Sequence, residues 1–244
     1  MQTEYLIGSI YHMVHFDTLK SIVQRRAILS KEKVSQEQAS YRSIAYDSVQ
    51  SLRDRVFTWD SSNQRFRPLH SYVPFYFATL TPMLYVQFKQ GMQPRMAILE
   101  VNRSILTEKG VIFTDGNASN QQLAAQGLEV VRIMPTTVEK RSCRRRYYPD
   151  GPHGTNPNCS NFYSDPIFLE ELNWNIINDR NFPKADEVRV KHAEVLIPDI
   201  LPLNKISSIV VNNYSMQQDV NNLISQCGLA ERIPFAVVKA NLFF

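Results

Sequence analysis

The chain has 244 residues, 43% of them hydrophobic and 20% charged, with a net charge of +4. That is an ordinary globular composition, long enough to bury a full core, so the chain needs no covalent staples and does not read as disordered. The mild excess of positive charge is compatible with a polyanionic partner without requiring one.

The N-terminus, MQTEYLIGSIYHMVHF, lacks the basic start, apolar core and small-residue cleavage site of a signal peptide. Residues 5–14, YLIGSIYHMV, are rich in β-formers and predict a strand. From Asp17 to Arg26, Leu19, Ile22 and Val23 recur at helical spacing. Lys31 to Arg55 is polar and predicts a mixture of helix and surface loop. Residues 70–85, HSYVPFYFATLTPMLY, are dense in aromatics, and their two prolines argue against one continuous helix. Further strands are expected at Met96–Val101, Val111–Phe113, Leu128–Met134, Ala193–Ile197, Ile206–Val211 and Phe235–Val238. Helices are expected at Asn120–Gln126, Asp165–Asn178 and Ser215–Gln226.

No apolar run reaches the roughly 18 residues of a membrane helix. The cysteines, Cys143, Cys159 and Cys227, are odd in number and sparse, unlike a disulfide framework. A cytoplasmic protein with no membrane partner is therefore expected. No G-x-G-x-x-G or G-x-x-x-x-G-K-[ST] follows a strand, which argues against a doubly wound nucleotide-binding sheet. An α+β domain with two packed sheets fits the interspersed elements better. The composition breaks at Glu139–Asn161, basic and then rich in Pro, Gly and Asn. It reads as an insertion within a single domain spanning residues 1–244. Cys143, His153 and Cys159 lie in it, but no C-x-x-C and no fourth ligand accompany them, so no metal site is expected.

Four segments stand out: IYHMVHFDTLKSIV (residues 10–23), SYVPFYFATLTPMLY (71–85), FTDGNAS (113–119) and RVKHAEVLIP (189–198). Together they resemble the DarT family of DNA ADP-ribosyltransferase toxins. They occur in the family's order and span nearly the whole chain. The second is the most specific, with its fixed aromatics and prolines. The chain departs from the family pattern at His192, where a Gln is frequent, and in the length of the insertion. The resemblance implies an ADP-ribosyltransferase-type fold of two packed, mainly antiparallel sheets, with NAD as co-substrate in a cleft between them.

The reaction so implied begins with a good leaving group, because the nicotinamide ring nitrogen is cationic. Positive charge develops on the ribose as it departs, and a fixed carboxylate stabilises that charge. Glu194 is the candidate, at the start of an apolar strand; taken alone it reads as a surface carboxylate paired with Lys191 or Arg189. The resemblance implies an active-site arginine between the first helix and the aromatic stretch, Arg53 in preference to Arg55 though the spacing allows either, to bind the pyrophosphate bidentately or orient the acceptor base; taken alone the pair reads as a basic helix surface. His12 corresponds to the opening-strand histidine, which the resemblance places on NAD. On its own it reads as a half-buried histidine bonded to a carbonyl, and His15, on the opposite strand face, competes with it. Of the aromatic cluster Tyr72, Phe75, Tyr76, Phe77 and Tyr85, most is expected to be core, with Met83 and one or two of the tyrosines, Tyr72 first, reaching the cleft as cofactor contacts. Asp115-Gly116 reads simply as a turn.

KRSCRRRYY, residues 140–148, sets basic charge beside aromatics, which suits a single strand with phosphates paired and bases stacked. Arg144, Arg145, Arg146 and Tyr147 are the expected DNA contacts there, with Arg189 a further one. A base to be modified must leave its stack, so single-stranded DNA is the expected partner. The resemblance also implies an antitoxin that removes the ADP-ribose. Two other readings remain open: a related enzyme acting on RNA or protein, and a non-catalytic nucleic-acid-binding module.

Overall fold

The computed structural model describes residues 3–120, 130–137, 159–181, 183–185 and 187–244. Residues 121–126 of the expected helix Asn120–Gln126, most of the basic insertion, and Arg144, Arg145, Arg146 and Tyr147 lie outside the described residues.

The strands are β1 (Ser9–His15), β2 (Ala27–Leu29), β3 (Val56–Asp60), β4 (Arg65–Pro68), β5 (Tyr72–Tyr76), β6 (Met96–Asn102), β7 (Ile112–Thr114), β8 (Val131–Ile133), β9 (Phe162–Tyr163), β10 (Glu194–Pro198), β11 (Ile200–Pro202), β12 (Ile206–Val211) and β13 (Ala236–Val238). Eight form one sheet in the order β13-β12-β6-β1-β5-β10-β7-β9. Strand β3 carries β4 and β8 in a smaller sheet, and β2 pairs with β11. Most pairings are antiparallel; β12 with β13 and β3 with β8 are parallel.

The large sheet is nearly two sheets. Strands β1 and β6 pair from Ser9↔Asn102 to His15↔Met96, and β5 and β10 pair from Tyr72↔Pro198 to Tyr76↔Glu194. Between these halves, β1 and β5 are joined only at Tyr11↔Tyr76. Pro74, in the middle of β5, explains the break. The N–H and C=O of one strand residue point to the same side, and Pro74 has no N–H to offer. Its carbonyl faces β1, where the side chain of His12 takes it with Nδ1 at 2.7 Å. The halves therefore part beyond Tyr11 and leave a cleft.

The helix Phe16–Arg25 buries Leu19, Ile22 and Val23, and Tyr214–Gln226 buries Met216, Val220 and Ile224. These stripes join Ile10, Val14, Leu99 and Ile209 in the main core. The opening segment departs from expectation: Thr3–Leu6 is a helical turn and the strand starts only at Ser9. A positive φ of 111° at Gly8 turns the chain between them. The expected helix Asp165–Asn178 is two pieces, a 3₁₀ segment Pro166–Glu171 and a helix Trp174–Asn178. Asn173 divides them, because its side chain accepts from Ile176 N–H and caps a fresh helix. His15 also acts as a cap: Nδ1 accepts from Asp17 N–H at 3.2 Å at the head of Phe16–Arg25.

Candidate functional site

Glu194 opens β10 and is 1% exposed. Its partner is neither Lys191 nor Arg189. Arg53 Nη1 donates to both carboxylate oxygens, at 2.8 and 3.2 Å, and Ala118 N–H donates to Oε1 at 3.0 Å. The main-chain N–H of Glu194 donates to Thr114 Oγ1 at 3.2 Å, and that hydroxyl donates to Gly116 carbonyl oxygen at 2.6 Å. The polar turn after β7, FTDGNAS in the sequence, therefore wraps the carboxylate and does more than reverse the chain.

Arg53 ends the helix Asp47–Arg53, is buried, and lines the cleft together with His12, Lys31, Tyr41, His70 and Tyr72. Burial works against its cation, but the Glu194 carboxylate outweighs this and holds the guanidinium above its usual value. One arm of the fork is taken by Glu194. The other, Nη2, is buried without a hydrogen-bond partner. A buried unpaired N–H of a cation is costly, and an oxygen-rich ligand in the cleft would satisfy it. Arg55, two residues on, is exposed and its carbonyl accepts from Val131 N–H, so the structure separates the two arginines.

His12 lines the same cleft. A carbonyl oxygen only accepts, so Nδ1 must carry the proton donated to Pro74, and Nε2 keeps a lone pair. Burial pushes the imidazole below its usual range, which favours this neutral form. The carbonyl-bonded histidine read from the sequence and a ligand contact are thus compatible: one nitrogen serves each. Tyr72 is buried, lines the cleft, and lies under the guanidinium of Arg67, 5.2 Å from its ring; burial pushes its phenol up to about 12. Met83 accepts at Sδ from Tyr76 hydroxyl at 3.8 Å. Tyr76 stands directly across from Glu194 in the β5–β10 register. Burial, reinforced by the Glu194 carboxylate, pushes its phenol up, so it remains a donor.

Arg189 is drawn inward. Its Nη1 donates to Asp115 Oδ1 at 2.9 Å and to Ser160 Oγ at 3.2 Å. His70, Lys31, Thr114 and the Ala118 N–H are site residues the sequence did not single out. The polar, turn-forming composition of FTDGNAS was the one available signal for the last two. Among the described residues there is no group of three or more His, Cys, Asp or Glu able to hold a metal, and no helix long and apolar enough to cross a membrane.

A split antiparallel sheet that opens a cleft lined by Arg53 and His12, with Arg53 paired to the buried Glu194, is the frame of a cleft enzyme. Comparison with known proteins agrees and specifies the class. The model of the family "ssDNA thymidine ADP-ribosyltransferase, DarT" matches residues 11–129 and 150–244. A DNA ADP-ribosyl transferase of Thermus sp. (strain 2.9) is 26% identical over 242 residues, covering 96% of this chain and 95% of that one. A DNA ADP-ribosyl transferase–DNA ADP-ribosyl glycohydrolase fusion protein of Thermosipho africanus is 27% identical over 114 residues, 46% of this chain and 28% of the fusion. Among solved structures, Thermus sp. 2.9 DarT in complex with ADP-ribosylated ssDNA has a TM-score of 0.72 at 22% identity, covering 97% of this chain and 96% of that one. The same protein in complex with NAD+ has a TM-score of 0.68 at 20% identity, with 97% of each chain covered. The chain belongs to the DarT family of single-stranded-DNA ADP-ribosyltransferases.

Proposed function

We propose that this chain transfers ADP-ribose from NAD to thymidine in single-stranded DNA, and that it is the toxin of a toxin–antitoxin or phage-defence pair. The observation that carries the reading is the buried Arg53–Glu194 pair, with one arm of the Arg53 guanidinium left unsatisfied beside the cleft. Family membership supplies the reaction class. The NAD+ complex of the Thermus protein and its complex with ADP-ribosylated DNA support the two substrates. The Thermosipho fusion with a glycohydrolase supports an antitoxin that reverses the modification.

NAD supplies a glycosidic bond already weakened by the cationic nicotinamide nitrogen, which takes the bonding electron pair as it leaves. Glu194 faces the charge that grows on the ribose and holds a ribose hydroxyl, so its attraction is strongest in the transition state. Arg53 fixes the carboxylate and offers Nη2 to an oxygen of the substrate. His12 presents Nε2 as an acceptor for a ribose hydroxyl or the carboxamide N–H. Tyr72 and Met83 bound the nicotinamide side. The basic insertion, with Arg144, Arg145, Arg146 and Tyr147, guides the strand by phosphate pairing and stacking.

Short oligonucleotides incubated with the protein and NAD test the acceptor. A mass gain of one ADP-ribose is expected on thymidine-containing single strands only. Adducts on thymidine-free strands, on RNA, or on protein alone would contradict the assignment. Expression in bacteria is expected to arrest growth, with rescue by a co-expressed DNA ADP-ribosyl glycohydrolase; unimpaired growth would contradict the toxin role.

A further inference from the structure

Asp115 sits in the turn that wraps Glu194, and both its carboxylate oxygens are taken. Oδ1 accepts from Asn161 N–H at 2.9 Å and from Arg189 Nη1 at 2.9 Å, and Oδ2 accepts from Asn161 Nδ2 at 2.7 Å. The same Arg189 nitrogen reaches Ser160 Oγ at 3.2 Å, and Ser160 Oγ donates to the carbonyl of Asn117 at 2.7 Å. The Arg189 carbonyl in turn accepts from Asn117 N–H at 2.9 Å. Three segments far apart in sequence, 115–119, 160–161 and 189, are thus tied at one point. The next residue after Asn117 is Ala118, whose N–H holds Glu194 Oε1 at 3.0 Å. Gly116 admits this arrangement: a Cβ built there would lie 2.9 Å from both the carbonyl oxygen and Cγ of Arg189.

We infer that Arg189, Asp115 and Gly116 are positioning residues that act on catalysis through the Ala118 N–H, and that Arg189 serves the reaction as a clamp on this turn. The ion pair is only 16% and 15% exposed at its two side chains, so it is screened less than a surface pair. Charge-assisted bonds of this kind fix geometry as well as adding energy. Glu194 works by direction: its carboxylate must face the growing charge, and misplacement by about 1 Å in such a site costs about 100-fold in rate. Loosening the clamp frees Ala118 to swing and lets the carboxylate follow Arg53 alone. This inference rests on the DNA-modifying function proposed above.

Steady-state transfer to a thymidine-containing strand tests it, with separate binding measurements for NAD and for the strand. Wild-type transfer is the control: if wild type modifies no DNA, the proposed function fails, independently of the clamp. Given wild-type activity, Arg189→Ala, Asp115→Ala and Gly116→Ala are each expected to lower kcat about tenfold or more. KM for NAD and Kd for DNA should stay within about twofold. The Arg189→Ala/Asp115→Ala double variant should lose no more than the worse single variant, since both act on one contact. Arg189→Lys, which keeps a cation for Asp115, should recover most of the rate. If Arg189→Ala does not fold, Gly116→Ala and Asp115→Asn carry the same test. An unchanged kcat overturns the inference. So does a weakened DNA Kd for Arg189→Ala with the salt slope reduced by about one, which would make Arg189 a phosphate contact.

Discussion

Arg53 has two duties, and one pair of substitutions separates them. It neutralises a buried carboxylate and keeps a second arm, Nη2, buried without a hydrogen-bond partner. Arg53→Ala leaves Glu194 buried and uncompensated, which typically costs about 3–5 kcal/mol. Thermal unfolding should show a clear drop in Tm for Arg53→Ala, largely regained in Arg53→Ala/Glu194→Gln, where no bare charge remains. An unchanged Tm for Arg53→Ala would mean the pair is not desolvated as described. The histidines give a second prediction. Burial pushes both His12 and His192 below the usual imidazole range. The unfolded chain then takes up protons first, so their contribution is complete above about pH 6.5 and is lost as pH falls through the folded values. The slope of stability against pH below 6.5 should flatten in His192→Gln; an identical slope would contradict a half-buried, neutral His192. At this scale His12 and Glu194 lie within segments that resemble the family, whereas Arg53 lies in none of them and its choice over Arg55 rested on region alone. Nothing in the sequence showed that Arg53 and Glu194, 141 positions apart, would meet.

Strand β10 is held to β7 by two pairs, Val195↔Phe113 and Leu196↔Ile112, and then by a side chain. Thr114 accepts from Glu194 N–H and donates to Gly116, continuing the seam where the backbone ladder stops. Thr114→Val keeps the shape and removes both bonds, leaving a buried N–H unpaired, at a cost of about 1–3 kcal/mol. Denaturant unfolding should show that loss with an unchanged m-value; a neutral result would mean the seam does not depend on the hydroxyl. Long periodic elements were legible in the sequence. Ile206–Val211 has the bounds its β-branched run predicts, and Tyr214–Gln226 follows its apolar spacing closely. The hairpin of β3 and β4 was only partly legible. Its tight reversal is an Asx-turn, Asp60 Oδ1 accepting from Ser62 N–H, for which Asp60-Ser61-Ser62-Asn63 was a local signal; that Arg67 meets the same carboxylate was not announced locally.

Across the molecule, the cleft exists because one sheet is held together between β1 and β5 only at Tyr11↔Tyr76 and parts beyond it. The α+β class could be read from the interspersed strand and helix patterns, but the division of the sheet could not. Pro74 and His12 look like an ordinary strand breaker and an ordinary strand histidine until the topology places their strands side by side. The same holds for the turn Thr114–Ser119, whose role depends on a carboxylate roughly 80 positions away. The central claim is that Glu194, fixed beside this split by Arg53 and Ala118, drives transfer of ADP-ribose to DNA. Mass spectrometry of a thymidine-containing single strand, incubated with NAD and either wild type or Glu194→Gln, tests it most directly. The account predicts a full ADP-ribose adduct with wild type and a rate lowered at least about 100-fold in the variant, while NAD binding is retained. Equal adduct formation by the two proteins would contradict it.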